Sequence, residues 1–256
     1  MVESIPPFAV ISDIHANLEA LEAVFRDIEK ARVPKVICLG DVVGYGPDFE
    51  ECIDRIAARC EVCLRGNHDE AAIEGPTDFN PVARDVINYT REMLKPSLIC
   101  SAKKRSRWAF LKSLEKTHHE SSLSFFHGSP RDPVREYVMK TDVVFAPEKL
   151  VEIFSMLDSS CFIGHTHQPG VIVEGFLFLE PSRIGNVYHI SDGKAVINIG
   201  SVGQPRDGDN RASYVIVKEG AVHFRRVDYD FRKTIAKIEA NPRIHNNCAT
   251  RLQFGK

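Results

Sequence analysis

The chain has no surplus of charge of either sign. Lys and Arg number 33 and Asp and Glu 35 over 256 residues, a formal net charge of -2. A dedicated nucleic-acid domain normally carries a basic balance, so nucleic acid is disfavoured as a partner. There is no apolar run near the ~20 residues that a membrane-crossing helix needs, so no membrane partner is expected. The opening Met1-Val2-Glu3-Ser4-Ile5-Pro6-Pro7 has neither a basic start nor a long apolar stretch. No signal peptide is read there, and a cytoplasmic location is expected. The seven cysteines are odd in number and irregular in spacing, which argues against a disulfide framework. Cys38, Cys52 and Cys161 stand in apolar contexts and read as reduced, buried thiols. Cys60-Glu61-Val62-Cys63 has the C-x-x-C form, but no second pair completes a zinc site. That pair also runs into a strand, where a redox motif would open a helix. There is no internal repeat, low-complexity tract or linker, so one domain over residues 1–256 is expected.

Strand and helix signals alternate in the first half. Phe8-Ala9-Val10-Ile11 is a short apolar strand. Leu18, Leu21, Val24, Phe25 and Ile28 then recur at helical spacing behind Asn17, a suitable N-cap. Val36 to Leu39 reads as a second strand and Phe49 to Ala58 as a helix announced by Pro47. Glu61-Val62-Cys63-Leu64 is the third strand. A β-α-β-α-β series implies a partly parallel sheet with right-handed crossovers. Pro81 to Leu94 and Ala102 to Leu114 read as helices, so residues 70–114 are expected to form a helical cap beside the loops. The basic run Lys103-Lys104-Arg105-Ser106-Arg107 within it reads as a solvated helix face. The second half turns to strands: Phe176 to Leu179, Ala195 to Ile199, Ser213 to Val217 and Ala221 to Val227, with Glu219-Gly220 as a hairpin turn. Helices at Pro147 to Leu157 and Phe231 to Ala240 complete the pattern.

Five apolar stretches each end in groups able to ligate metal. They lead to Asp13-Ile14-His15, Gly40-Asp41, Gly66-Asn67-His68-Asp69, His127-Gly128 and Gly164-His165-Thr166-His167. Residues two apart in an extended segment point the same way, so Asp13 and His15 can share one cation. Two carboxylates, one amide and four imidazoles suffice for two cations sharing a carboxylate, a recurring device for phosphoester hydrolysis. The neighbouring glycines Gly40, Gly66, Gly128 and Gly164 suit sharp turns and close backbone approach. Any one of these motifs is common by chance; all five in order behind strands are not.

In that combination the chain resembles the calcineurin-like metallophosphoesterases over nearly its whole length. The resemblance implies a four-layer α/β/β/α sandwich of two mixed sheets, with the site at the carboxyl ends of central strands. It implies two divalent metal ions, with Mn, Fe, Zn, Co and Ni all compatible with the ligand types. Asp13, His15 and His167 would hold the first, Asn67, His127 and His165 the second, and Asp41 would bridge them. His68 would act at the leaving-group oxygen, with Asp69 fixing its tautomer. A hydroxide bridging the metals would be the nucleophile.

Ser/Thr protein phosphatases of the family carry an Arg directly after the second aspartate. Here Val42 and Val43 stand there, which argues against a phosphoprotein substrate. The chain is more similar to small bacterial and archaeal phosphodiesterases of the family, which retain a stretch like Gly200-Ser201-Val202-Gly203-Gln204-Pro205-Arg206. The implied substrate is a small phosphoester, a nucleotide among the candidates. Arg131 and Arg206 are candidates to grip its phosphate, against the alternative that they pair with Asp132 and Asp207. Tyr45 is a candidate to stack on a base or simply to pack. Rival readings are a nuclease or dinucleoside-polyphosphate hydrolase on the same site, and a non-catalytic scaffold. The intact ligand set opposes the scaffold.

Overall fold

The structure, a computed structural model, describes residues 6–190 and 193–256. Residues 1–5, part of the opening read for a signal peptide, lie outside it. Strands β1 (Phe8–Ile11), β2 (Lys35–Cys38) and β3 (Val62–Cys63) alternate with helices α1 (Leu18–Lys30) and α2 (Phe49–Arg59). Helices α3 (Asn67–Glu74), α4 (Pro81–Leu94) and α5 (Ala102–Ser113) follow. Next come β4 (Thr117–Glu120), β5 (Leu123–Phe126), α6 (Asp142–Phe145), α7 (Pro147–Ser155) and β6 (Cys161–Ile163). Then β7 (Gly170–Val173), β8 (Leu177–Leu179), β9 (Val187–His189), β10 (Ala195–Asn198), β11 (Ala212–Lys218) and β12 (Ala221–Val227) lead to α8 (Phe231–Glu239) and α9 (Asn247–Phe254).

The strands form two six-stranded sheets, ordered β3-β2-β1-β11-β12-β9 and β4-β5-β6-β10-β7-β8. Both are mixed. β1, β2 and β3 run parallel, as do β5, β6 and β10, while β11, β12 and β9 and, in the second sheet, β4, β7 and β8 join by antiparallel pairing. Period-two alternation sorts their side chains into layers. Phe8 and Val10 of β1 face Phe125 of β5 and Phe162 of β6 between the sheets. Ala9 and Ile11 turn the other way, onto Leu21 and Val24 of α1 and Ile53 of α2. In the second sheet Cys161 and Ile163 face Leu150 and Ile153 of α7. The four-layer α/β/β/α sandwich expected from the resemblance is therefore present. Between the sheets Phe125 and Phe162 stack with centroids 5.2 Å apart, and Phe8 meets both edge-on. Each such pair adds about 0.5–1.5 kcal/mol beyond its burial and locks the sheets face to face.

Local chemistry explains the boundaries. The Asn17 side chain accepts from Ala20 N, capping α1. Glu219 and Gly220 both have positive φ, as a tight hairpin between β11 and β12 requires. The basic run on α5 is not simply solvated. Arg107 is buried and donates two hydrogen bonds to Asp54 of α2, with Glu50 on its third nitrogen. Those charge-assisted bonds fasten α5 to α2 and hold the Asp54 carboxyl at about 2. Among the described residues no helix is long and apolar enough to cross a membrane.

Candidate metal centre

Every strand whose sequence pointed to ligands delivers them from its carboxyl end. Asp13 and His15 follow β1, Asp41 follows β2, Asn67 follows β3, His127 follows β5, and His165 and His167 follow β6. The parallel strands of both sheets thus empty into one place. Asp13, His15, Asp41, His68, His127, His165 and His167 are all buried.

The backbone there is unlike the extended one that the spacing suggested. Asp13, His15, Asp41, His165 and His167 all have φ between 48° and 63°. Non-glycine residues in this region cost about 1–3 kcal/mol each unless their surroundings hold them. Paired residues such as Asp13 and His15 do reach one cluster, but through left-handed turns rather than strand periodicity. The turns are held by backbone bonds between loops: Asp13 N to Gly40 O at 3.0 Å, His15 N to Asp41 O at 2.9 Å, and Gly203 N to Asp13 O at 2.9 Å. Close approach requires glycine at two neighbours. A Cβ on Gly66 would lie 2.1 Å from Asp41 Oδ1, and one on Gly164 2.5 Å from Asp13 Oδ2.

Each carboxylate is held by one oxygen and presents the other. Asp13 Oδ2 accepts from His165 N at 3.0 Å, while Oδ1 lies 3.1 Å from His167 Nε2 and 3.7 Å from His15 Nε2. Asp41 Oδ1 accepts from His68 N at 2.8 Å. Its Oδ2 lies 3.6 Å from His15 Nε2 and 3.5 Å from His127 Nε2. The imidazoles follow the same plan. His15 Nδ1 donates to Val43 O, His167 Nδ1 to Gln204 O and His165 Nε2 to Arg135 O. In each ring the other nitrogen is left as a lone pair aimed inward.

Those inward atoms meet. His15 Nε2 faces His167 Nε2 at 3.1 Å, and His127 Nε2 lies 3.2 Å from His165 Nδ1 and 3.1 Å from Asn67 Oδ1. The His15 and His167 lone pairs repel, and Asp13 Oδ1 has no hydrogen-bond partner among the described residues. A cation among these three residues would resolve both problems. Asp13, His15 and His167 form one set with ligand-atom spacing suited to a metal, Asp41, His127 and His165 another, and His15, Asp41 and His68 a third that overlaps both. Burial holds His127 and His167 at about 3 and His165 at about 4, so these rings are neutral donors at neutral pH. Burial pushes Asp41 well up, and the charges of Asp13 and Asp69 push it further. Burial also raises Asp13, but His167 and His15 outweigh it and hold that carboxyl low. Such a donor set fits divalent cations.

His68 lies beside the first two sets. Its ring centroid is 4.9 Å from that of His15, 4.6 Å from Tyr45 and 5.1 Å from Phe79. Asp69 does not fix its tautomer through the ring. The Asp69 carboxylate instead accepts from Val42 N at 3.0 Å, Val43 N at 3.2 Å and Gly66 N at 3.1 Å. His68 Nδ1 has no hydrogen-bond partner among the described residues. Asp69 sits at the third position of α3, where a carboxylate reaching back to the N-cap amide is at home. It ties together the loops carrying Asp41 and His68.

A cleft of ≈ 290 Å³ opens over the cluster, its walls including His68, His165, Tyr45, Phe79, Arg135 and Tyr137. The two candidate arginines part here. Neither is among these walls, and Arg131 is committed to Glu136 and Glu152. Among the described residues the Arg206 guanidinium hydrogen-bonds only to the neutral Gln204 side chain, and it lies 5.6 Å from the Tyr45 ring centre. Neither takes its neighbouring aspartate; Asp207 pairs with Arg226. Tyr45 packs between His15 and His68 and is almost fully buried. Tyr137 and Arg135 escaped sequence reasoning because their loop has no ligand spacing and no periodicity. Gln204 stood in the late glycine-rich stretch, where only its terminal Arg drew notice.

A family model described as the calcineurin-like phosphoesterase superfamily domain matches residues 7–220. An uncharacterized protein of Methanocaldococcus jannaschii is 37% identical over 266 residues, covering 100% of both chains. The crystal structure of a metallophosphoesterase from Sphaerobacter thermophilus superposes with a TM-score of 0.79 at 34% identity, over 98% of this chain and 99% of that one. A hypothetical protein from Pyrococcus horikoshii OT3 shares the fold at a TM-score of 0.73 and 17% identity, over 98% and 99% of the chains.

Proposed function

We propose, for a chain that belongs to the calcineurin-like phosphoesterase superfamily, that it hydrolyses phosphodiesters with the help of two divalent cations. One observation carries this reading: a single oxygen, Asp41 Oδ2, is within 3.6 Å of His15 Nε2 and 3.5 Å of His127 Nε2. A carboxylate in that position suits a bridge between two ions. Asp13, His15 and His167 would hold one, and Asn67, His127 and His165 the other. When bound, such ions supply Lewis acidity, making water a stronger acid and drawing charge from phosphoryl oxygens.

The chain's own groups do the rest. Gln204, Val43 and Arg135 orient three imidazoles through their carbonyls, so no proton competes for the inward nitrogens. His68 lines the cleft without ligating. Burial, together with the charges of His15 and Arg206, holds it well below the usual imidazole range. A neutral ring there stabilises the leaving oxygen by a hydrogen bond rather than as a free cation. Arg206 is the cation available to substrate oxygens. The absence of an Arg after Asp41 favours an ester carrying one charge at the reacting phosphorus over a dianionic phosphomonoester.

The test is metal analysis alongside turnover of bis(4-nitrophenyl) phosphate and 4-nitrophenyl phosphate. Two equivalents of metal and faster diester cleavage are expected. Near-normal turnover by metal-saturated Asp41→Asn would sink the two-ion reading.

A further inference from the structure

Two guanidiniums approach the Tyr45 ring, and neither has an anionic partner among the described residues. Arg206 Cζ lies 5.6 Å from the ring centre and Arg251 Cζ 5.9 Å from it. Arg206 comes from the loop after β10. Arg251 comes from α9, outside the 7–220 stretch matched by the family model. Among the described residues the Arg206 guanidinium donates only to the Gln204 amide oxygen. Among the described residues no side chain or carbonyl accepts from the Arg251 guanidinium. Arg107 and Arg226, by contrast, each grip a carboxylate, and Arg59 and Arg91 each donate to backbone carbonyls. A cation–π contact is a weak substitute for such a partner, and two like charges at one ring oppose each other.

The place matters as much as the lack of partners. The Tyr45 ring lies 4.8 Å from that of His15 and 4.6 Å from that of His68, and Tyr45 also lines the cleft. The Tyr45 ring therefore contacts both the arginine pair and the candidate ligand cluster.

We propose that Arg206 and Arg251 form an anion subsite beside the metal centre, and that the substrate is a phosphoester bearing a second anionic group, a terminal phosphate or carboxylate, one aromatic ring's breadth from the reacting phosphorus. This rests on the phosphodiesterase reading and specifies its substrate class. Planar guanidiniums bind such oxygens in pairs. The Tyr45 ring sets how far the subsite stands from the reaction.

The experiment uses 4-nitrophenyl phosphodiesters whose second arm ends in methyl, carboxylate or phosphate, with the metal-loaded full chain. In the wild type an anionic arm should raise kcat/KM at least tenfold over methyl, and the better of the two anions identifies the group. Arg251→Gln should erase most of that preference, and Arg251→Lys should restore part of it. Arg243→Gln, an exposed charge change elsewhere, controls for net charge. A second measurement is independent of turnover: calorimetric titration of metal-free protein with inorganic phosphate. The Arg206→Gln/Arg251→Gln pair should lose that binding while keeping the wild-type melting profile. Equal kcat/KM for all three arms, or phosphate binding undiminished in the double variant, overturns the subsite. Failure to cleave any of the esters overturns the phosphodiesterase reading instead, and the titration still decides the subsite.

Discussion

Tyr137 lies flat on the imidazole of His165, their centroids 3.8 Å apart and their planes 18° from parallel. The carbonyl of Arg135, two residues earlier, accepts from His165 Nε2 at 3.0 Å. The Arg135 side chain is itself clamped by two hydrogen bonds to Glu70 of α3. One irregular loop thus fixes both the tilt and the tautomer of a candidate ligand. Tyr137→Ala should weaken cation binding at the His127–His165 set by about tenfold, the lower range for groups that orient a metal ligand. Tyr137→Phe should not, because the stacking face is kept. Competition with a calibrated chelator measures both.

How far the sequence foretold this site differs from residue to residue. The seven candidate ligands and His68 were legible because each ends a β-branched strand at a turn residue. Chain order alone then places them at one edge of a parallel sheet. The left-handed backbone at Asp13 and His165 was not legible, since it depends on bonds between loops distant in sequence. α3 was hidden because Gly66-Asn67 looks like a loop; only the helix geometry shows Asp69 capping Gly66. β4 is short and polar and β9 is only three residues long, and both exist because a neighbouring strand pairs them. Tyr137 and Arg251 carry no motif and reach the site only through tertiary packing.

His68→Ala should retain metal and lose rate. The ring also stands within ligand spacing of His15 and Asp41, so this variant separates coordination from action on the leaving oxygen; the latter is worth about 10²–10⁴-fold. Metal content by elemental analysis should match wild type, with kcat reduced and KM little changed. Loss of metal in this variant would assign the ring to coordination instead.

The metal-free protein should lose stability as the pH falls below about 6.5, the ordinary imidazole value. His127, His165 and His167 are held at about 3 to 4, and His15 and His68 are also lowered, all chiefly by burial. Between those values the unfolded chain takes up protons that the folded chain refuses, so acid favours unfolding. Asp41 and Asp69 act oppositely. Burial raises both, Asp69 to about 7, so the folded state binds protons there that the unfolded state has released. Five histidines outweigh two carboxyls, leaving a net drop in melting temperature on the order of 5–10 °C from about pH 7 to 5.5. Calorimetry of chelator-treated protein across that range measures it; a flat or rising profile would contradict the buried-neutral assignment.

Asp69→Asn separates two ways in which Asp69 could serve His68. If the carboxylate acted on the ring, the variant would keep both metals and shift only the pH dependence of the rate. The hydrogen bonds point elsewhere. Oδ1 accepts from Val42 N and Val43 N, and Oδ2 from Gly66 N. An Asn side chain can keep its oxygen toward Val42 and Val43, but its amide nitrogen then meets the Gly66 N–H, donor against donor. Turning the amide around leaves two buried N–H groups without an acceptor in place of one. Each buried donor left unsatisfied costs about 1–3 kcal/mol. That loss falls on the turns that aim Asp41 and present His68 N to Asp41 Oδ1. The expected result is a lower melting temperature together with weaker metal binding, and a fall in kcat that tracks metal occupancy. Restoring full occupancy with excess metal should recover most of the rate, which a lost ring partner would not allow.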